Sequence, residues 1–233
     1  MKIKNAKILI TGGSLGIGKA TAKLLVENGS EVIITGRDEG RLKRAADETG
    51  AFPVVADVAN PDDIDKTYDI FMKKYKRLDC LINNAGIGKS VKLENVTLKD
   101  FQTVYGVNVF GAALMALKAA KIFKKQNYGN IVNIASSAGL RGYAGATVYA
   151  GTKFALRGMT ECWRAELRKY NVRVILINPS EVATAFGSAK REERKAPPNK
   201  LSSFEIAYAI KAALEMDDRG FTPELSVWAT NPW

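Results

Sequence analysis

Short apolar runs alternate along the whole chain with segments in which apolar residues recur at helical spacing. Strands are predicted at residues 7–11, 31–35, 52–56, 79–83, 130–135, 172–178 and 225–229. Runs such as KILIT, LDCLI and VRVILI are apolar at consecutive positions, as in strands buried on both faces. The alternation predicts right-handed crossovers between parallel strands. We therefore predict an α/β fold, a doubly wound seven-stranded parallel sheet flanked by helices on both faces.

The chain shows no sign of a second module. It has 233 residues and no internal repeat, low-complexity tract or linker-like segment. The longest helical pattern covers residues 98–125, and no apolar run reaches the roughly 20 residues needed to cross a bilayer. We expect one domain over residues 1–233 and no membrane partner. The first residues do not resemble a secretory leader, so we expect a cytoplasmic location.

The absence of histidine narrows the possible chemistry. Without histidine, and with two cysteines, the chain cannot build a Cys/His zinc site or use Ser-His-Asp or Cys-His catalysis. We expect no metal, and acid–base catalysis must come from Tyr, Lys, Asp, Glu or Cys. Cys80 and Cys162 lie in apolar strand and helix patterns, which predicts that both are buried.

The formal charge of +11 raises the alternative of a nucleic-acid-binding protein. The basic residues are dispersed, however, and acidic residues accompany them. Lys73, Lys74 and Lys76, for example, lie near Asp69 and Asp79. This pattern is typical of solvated helix faces. We predict no nucleic-acid partner, and we expect the positive field to attract an anionic cofactor or substrate.

The first predicted strand leads directly into the glycine-rich turn TGGSLGIG, residues 11–18, and a helical pattern follows. Glycines allow backbone N–H groups to approach a pyrophosphate, which the positive end of the helix also attracts. A strand before and a helix after the turn favour a dinucleotide-binding loop over an ordinary turn. The residues predicted to hold the cofactor here are Gly12, Ser14, Leu15, Gly16, Ile17 and Gly18.

The spacing TGxxxGIG resembles the coenzyme loop of the short-chain dehydrogenase/reductase family. The resemblance continues in chain order with DV after the third strand, NNAG at the end of the fourth and PSEVAT after the sixth. It implies a Rossmann fold and a nicotinamide-dependent oxidoreductase. The further cofactor contacts that it implies are Asp57, Val58, Asn84, Ala85, Gly86, Pro179, Val182 and Thr184. Ser180 replaces the family's usual glycine, so a backbone conformation easy for glycine must be reached with a Cβ present.

The end of the second strand predicts which dinucleotide is bound, because this position contacts the adenosine ribose. Gly36 leaves room there, and the planar guanidinium of Arg37 suits a 2′-phosphate. NADP(H) is therefore the preferred cofactor. NAD(H) stays possible, because Asp38 is adjacent and Leu15 occupies a loop position where NADP-preferring relatives often carry a basic residue.

Tyr149 and Lys153 are four residues apart in a helical pattern and therefore project from one face of the helix. Ser136 follows the fifth strand, and Asn108 lies inside the long helical pattern. In the resembled family these four positions form the catalytic set. Ser137 is a competing hydroxyl, but the thirteen-residue spacing to Tyr149 favours Ser136.

Reduction of a carbonyl develops negative charge on its oxygen, which needs a hydrogen bond and then a proton. We expect Tyr149 to supply the proton, Ser136 to hold the oxygen and Lys153 to lower the pKa of Tyr149. The resemblance assigns Lys153 a second task, binding the nicotinamide ribose, and gives Asn108 a water molecule that relays protons.

Residues 186–200 are polar, charged and end in prolines, which predicts a short lid over an open pocket for small carbonyl or alcohol substrates. A solvated loop is expected, because its basic residues surround two glutamates. The residues concerned are Lys190, Arg191, Glu192, Glu193, Arg194 and Lys195. Ile87, Leu140 and Tyr143 are predicted to line the pocket. The alternatives are a 3-oxoacyl-thioester reductase of fatty-acid synthesis and a non-catalytic nucleotide-binding regulator.

A stretch of small apolar residues, 111–116, suggests a subunit interface, and packing on its own sheet is the alternative. The family resemblance implies helix-to-helix homodimers that often pair into homotetramers. Residues 228–233 carry two tryptophans and a proline, which suggests anchoring at a core or subunit boundary.

Overall fold

Seven parallel strands form one sheet in the computed structural model, which describes residues 1–186 and 191–231. Their order across the sheet is β3-β2-β1-β4-β5-β6-β7. The strands are β1 (Lys7–Ile10), β2 (Glu31–Gly36), β3 (Phe52–Val55), β4 (Cys80–Asn83), β5 (Gly129–Ile134), β6 (Val172–Pro179) and β7 (Glu224–Val227). The predicted doubly wound sheet is confirmed. The ends of the strands differ from the predicted ends by one or two residues.

Helices cover both faces of the sheet. They are α1 (Gly16–Glu27), α2 (Glu39–Thr49), α3 (Pro61–Tyr75), α4 (Leu98–Tyr105), α5 (Ala112–Gln126), α6 (Thr147–Leu167) and α7 (Ser203–Glu215). Ile8 and Ile10 of β1 pack in a core with residues of α1, α2 and α7. Leu9 points the other way, into a core that it shares with α3, α5 and the end of α6. This alternation explains why consecutive apolar residues are needed in the strands.

The long helical pattern at residues 98–125 is confirmed as a helix, but it is not regular. One π-helical segment, Gly106–Gly111, joins α4 to α5. Asn108 lies in this segment and is buried. Gly111 ends it against the loop after β3, where a Cβ on Gly111 would lie 2.6 Å from the carbonyl oxygen of Val58. The glycine therefore allows the helix to approach the loop that carries Asp57 and Val58.

By length and composition alone, the helical stretch Leu98–Gln126 would suffice to cross a membrane. Half of its most apolar window is nevertheless buried inside the protein. Met115, Ala119 and Phe123 of this stretch pack in the core beneath the sheet. A buried core helix has the same composition as a membrane span, and these contacts are those of a core helix.

The chain order reverses between β1 and β4, which are neighbours in the sheet. From β1 the chain passes to β2 and β3 on one side, and from β4 it continues to β5, β6 and β7 on the other. The connections at the carboxyl ends of β1 and β4 therefore diverge and leave a crevice between them. The turn at residues 11–18 and the loop that follows Asn83 both open into this crevice.

Burial in the structure bears on three local predictions. Cys80 is buried as predicted, but Cys162 is exposed because it lies on the solvent face of α6. In the small-residue stretch at 111–116, four residues are buried against the rest of the chain, which favours packing on its own sheet: Gly111, Ala112, Met115 and Ala116. Trp228 is 62 % exposed and so anchors no core in this chain, and Trp233 lies outside the described residues.

We predict that Gly111→Ala lowers the free energy of unfolding by about 1–3 kcal/mol, because the added Cβ forces two backbone segments apart. The matched control is Gly158→Ala in α6, where a Cβ would meet nothing within 4 Å. The control should be neutral or stabilising by up to about 1 kcal/mol through helix propensity. Urea unfolding of both variants measures the difference. Equal stabilities would contradict the close contact with Val58.

Candidate active site

A cavity of about 620 Å³ lies at the carboxyl ends of the strands, in the crevice where the chain order reverses. All the predicted site residues line it except Gly18 and Asn108. The predicted residues that line it are Gly12, Ser14, Leu15, Gly16, Ile17, Arg37, Asp57, Val58, Asn84, Ala85, Gly86, Ser136, Tyr149, Lys153, Pro179, Val182 and Thr184. The volume is within the usual range of ligand sites, about 300–1,000 Å³.

Glycine is required in the 11–18 turn because two pieces of backbone come very close. Gly12 has a φ of +66°, and a Cβ there would lie 2.8 Å from the Cα of Ala85. A Cβ on Gly18 would lie 2.4 Å from the carbonyl oxygen of Gly12. Gly18 therefore shapes the turn and does not line the cavity. The result is a cradle of bare backbone, which fits the pyrophosphate of a dinucleotide.

Thr11 and Asn84 hold the turn against the end of β4. The side-chain amide of Asn84 donates to the carbonyl oxygens of Thr11 and Gly12, both at 2.9 Å. The hydroxyl of Thr11 accepts from the backbone N–H groups of Asn84 and Ala85 at 3.1 and 3.0 Å. Thr11 was not among the predicted site residues, although its place at the end of a strand is the signal that could have identified it. It positions the cradle.

The N-terminus of α1 takes its hydrogen-bond acceptor from a distant part of the chain. Leu15 is the N-cap residue and has no side-chain acceptor, and no acidic residue occurs in the first turn. The backbone N–H of Gly16 donates to a carboxylate oxygen of Glu193 at 2.8 Å, and the other oxygen is 2.9 Å from the ammonium of Lys19. An anionic group therefore already lies where the helix end attracts one. The residues present thus fit a phosphate.

Three arginines line one end of the cavity, Arg37, Arg41 and Arg191. Arg37 faces Asp57 at 3.4 Å, and Arg41 faces Asp38 at 2.9 Å. In the described part of the chain, the guanidinium of Arg191 makes no hydrogen bond and no ion pair. Burial lowers the pKa of Arg191, and the positive charges of Arg37 and Arg41 lower it further. An anion between the three would relieve this repulsion.

Tyr149 and Ser136 lie at the other end of the cavity. Burial raises the pKa of Tyr149 to about 12, and a hydrogen bond with the side chain of Ser136 opposes this rise. The hydroxyl of Ser136 also accepts from the backbone N–H of Ala138 at 3.1 Å, which fixes its orientation. Ser137 does not line the cavity, which favours Ser136 over Ser137 as the hydroxyl of the site.

Lys153 lies one helical turn after Tyr149 and is 5 % exposed. Its ammonium donates to the carbonyl oxygen of Ile134 at 2.9 Å and is 5.7 Å from the centre of the Tyr149 ring. Burial lowers the pKa of Lys153 to about 8. The prediction that Lys153 lowers the pKa of Tyr149 is wrong for the cofactor-free protein, because the ammonium is turned to Ile134 and the tyrosine is itself desolvated.

Comparisons with known proteins agree with this geometry. The profile of the short chain dehydrogenase family matches residues 6–195. A 3-oxoacyl-[acyl-carrier-protein] reductase of Synechocystis is 36 % identical over 182 residues, which cover 76 % of this chain and 74 % of the relative. The crystal structure of a 3-ketoacyl-(acyl-carrier-protein) reductase from Brucella melitensis complexed with NADH has a TM-score of 0.89 and is 28 % identical, covering 99 % of this chain and all of the other. The closed form of serine dehydrogenase complexed with NADP+ has a TM-score of 0.86 and is 26 % identical, covering 94 and 93 %.

The chain belongs to the short-chain dehydrogenase family. It is an NAD(P)-dependent oxidoreductase.

In this short-chain dehydrogenase, Asn108 does not reach the cavity. Its side-chain oxygen accepts from the backbone N–H of Ile87 at 2.9 Å, and its amide donates to the carbonyl of Ile87 and to the hydroxyl of Thr152 at 2.9 and 3.0 Å. The side chain thereby ties the loop after β4 to α6, the helix that carries Tyr149. Asn108 is a positioning residue in the structure.

Ser180 does not strain the loop that follows β6. It is not among the residues with positive φ, and its N–H donates to the carbonyl oxygen of Val227 at 2.9 Å. The expected loop distortion at Ser180 is therefore absent.

The glycine at position 151 of α6 is explained by a close contact, since a Cβ there would lie 2.7 Å from the hydroxyl of Tyr105.

The described part of the predicted lid is exposed at residues 192–195, as expected of a solvated loop, but it also contacts the rim of the cavity, which Arg191 lines. Arg194 donates to the carbonyl oxygen of Thr184 at 3.0 Å, and Glu193 contacts Gly16. The ring of Phe186 lies 5.6 Å from that of Tyr149. Lys190 lies outside the described residues.

Of the three residues predicted to line the substrate pocket, Ile87 lines the cavity and Leu140 does not. Tyr143 is largely exposed, but its phenol lies close enough to raise the pKa of Tyr149. Phe186 also lines the cavity and was not predicted individually. The substrate end is thus bounded mainly by apolar and aromatic side chains.

The lowered pKa of Lys153 predicts a pH-dependent stability. Between its folded pKa of about 8 and its usual value of 10.5, the unfolded chain binds more protons than the folded chain, so stability rises with pH in this window. We expect the difference in unfolding free energy between the wild type and Lys153→Met, without cofactor, to rise by about 1 kcal/mol per pH unit from pH 8.5 to 10. Other titrating groups cancel in this difference. A constant difference would show that Lys153 is not desolvated.

Proposed function

We propose that this chain is an NADP(H)-dependent oxidoreductase that interconverts a small carbonyl compound and its secondary or primary alcohol, with Tyr149 as the general acid/base. The observation that carries the proposal is the convergence of Ser136, Tyr149 and Lys153 on one wall of the cofactor cavity. The glycine cradle and the three arginines line the same cavity, so a bound dinucleotide would extend from the arginines, past the cradle, to the tyrosine.

The cofactor supplies or accepts the hydride when it is bound. With a pKa of about 12, Tyr149 is protonated at neutral pH and is ready to donate to the oxygen that becomes negative during carbonyl reduction. Ser136 can donate a second hydrogen bond to that oxygen, and the bond that its hydroxyl accepts from Ala138 holds it in place. These two hydroxyls hold the substrate oxygen and deliver the proton.

Lys153 and Asn108 support Tyr149 in this proposal. Lys153 is a desolvated cation near the phenol, and with a pKa of about 8 it can hold or release a proton near neutrality. We also propose that it binds the nicotinamide ribose hydroxyls, in line with the family resemblance. The π-helical segment around Asn108 departs from regular α-helical pairing, which is a suitable place for the proposed proton-relaying water.

The preference for NADP(H) is supported by the cluster of Arg37, Arg41 and Arg191. The sequence pointed to Arg37 alone; Arg41 lies on α2, and Arg191 comes 150 residues after Arg41 in the chain. A phosphate carries close to two negative charges and can accept bidentate hydrogen bonds from guanidinium groups. NAD(H) lacks this phosphate and would leave Arg191 without a partner.

The substrate, partners and location are part of the same proposal. The apolar boundary formed by Ile87 and Phe186 suits a small carbonyl or alcohol. A 3-oxoacyl thioester is the second candidate, favoured by the 36 % identical reductase relative. We propose a cytoplasmic enzyme without nucleic-acid or membrane partners. A homodimer or homotetramer is supported by exposed apolar side chains on the helices that flank the sheet, Phe110, Leu117 and Phe154.

We predict that Tyr149→Phe lowers kcat at least about 1,000-fold, because it removes the proton donor and leaves the ring in place. The assay follows NADPH and NADH oxidation with small ketones, diketones, aldehydes and an acetoacetyl thioester. The Kd of the variant for cofactor should change less than about threefold, which separates loss of chemistry from loss of binding. Full activity of Tyr149→Phe would reject the mechanism, and turnover of the thioester alone would favour the second candidate.

Arg191→Gln should weaken NADP+ binding about 3–10-fold and leave NAD+ binding unchanged, because it removes one guanidinium from the 2′-phosphate. The matched control is Lys195→Gln, which removes the same charge from an exposed side chain four residues along the chain. Isothermal titration calorimetry with both cofactors gives the four affinities. Equal loss for NAD+ and NADP+ would mean that Arg191 contributes only to the general field.

A further inference from the structure

The carboxylate of Glu193 occupies a position that the bound cofactor needs. It accepts from the backbone N–H of Gly16 at 2.8 Å and pairs with Lys19 at 2.9 Å. Gly16 lies in the glycine turn and is the first residue of α1, and its N–H is one of the donors at the positive end of the helix that no residue of the helix itself can satisfy. The contacts lower the pKa of Glu193, so the group is ionised at neutral pH.

Glu193 and a dinucleotide pyrophosphate are both anions and compete for the same donors. Two like charges within about 5 Å, in a partly desolvated cavity, repel each other by an amount that is several times the value in water. Glu193 provides the acceptor that Leu15 and the first turn of α1 lack, and it comes from 177 residues away. In the cofactor-free protein it therefore substitutes for the phosphate.

The rest of this segment has its own attachments. Arg194 donates to the carbonyl oxygens of Thr184 and Phe186 at 3.0 and 3.5 Å. The side chain of Glu193 is 40 % exposed, so it can rotate into solvent while these attachments remain. The carboxylate can therefore leave without moving Phe186 away from Tyr149.

We propose that Glu193 is a built-in competitor of the cofactor: a tethered carboxylate that holds the pyrophosphate site in the free enzyme and is displaced when a dinucleotide binds. Glu193 thereby lowers the affinity for both NAD+ and NADP+, since both carry the same pyrophosphate. The inference rests on dinucleotide binding by this family member, and it does not depend on the proposed NADP preference, the substrate or the role of Tyr149.

The test compares Glu193→Gln with Glu192→Gln, which removes the same charge from the neighbouring residue. Glutamine keeps the size of the side chain and an acceptor for Gly16, but it loses the negative charge. Isothermal titration calorimetry of the whole protein should show that Glu193→Gln binds NAD+ and NADP+ about 5–10-fold more tightly than the wild type, with both cofactors gaining equally. Glu192→Gln should change either affinity less than twofold.

A probe without a pyrophosphate separates competition from a general change in charge. We use 2′-AMP, which can fill the adenosine end of the cavity but not the helix end. Its affinity should be the same for the wild type and Glu193→Gln. Unchanged or weaker binding of both dinucleotides by Glu193→Gln would overturn the proposal, and so would an equal gain for 2′-AMP or for Glu192→Gln.

Discussion

The close packing of the glycine turn on the end of β4 is the constraint on which the rest of the site depends. Gly12 lies against Ala85, Gly18 lies against the carbonyl of Gly12, and the amide of Asn84 holds both strand ends together. Side chains at either glycine would separate β1 from β4 and fill the crevice. Because they are absent, α1 begins immediately at the edge of the sheet with its N–H groups directed into open space.

The cavity carries more positive charge than the free protein can easily leave unpaired. Its walls include the N-terminus of α1, three arginines and the buried Lys153. The chain compensates with its own carboxylates, Asp57 beside Arg37 and Glu193 at the helix end. The free site is thus a set of internal ion pairs, and binding exchanges these for pairs with an anionic ligand. Affinity depends on the difference between two similar sets of interactions, so a single carboxylate can change it measurably.

The sequence was sufficient to predict what local patterns encode. Strand apolarity gave the seven strands, and the residues that follow strand ends, such as Arg37, Asn84 and Ser136, line the cavity because parallel strands end at one edge. The sequence could not predict contacts made across long separations. Glu193 and Arg191 were expected in solvent, since nothing in their neighbourhood signals Gly16 or Arg37. The π-helical segment was also hidden, because its residues keep an apolar spacing close to that of an α-helix.

In the proposed mechanism, Tyr149 and Lys153 are prepared for one direction of proton transfer. Burial raises the pKa of Tyr149 and lowers that of Lys153, since each neutral form avoids the cost of a desolvated charge. A protonated tyrosine is an acid, which suits carbonyl reduction. Alcohol oxidation requires the phenolate, and the positive ring of an oxidised nicotinamide would favour it. In the proposed mechanism, the protonation state of Tyr149 is therefore coupled to the redox state of the bound cofactor.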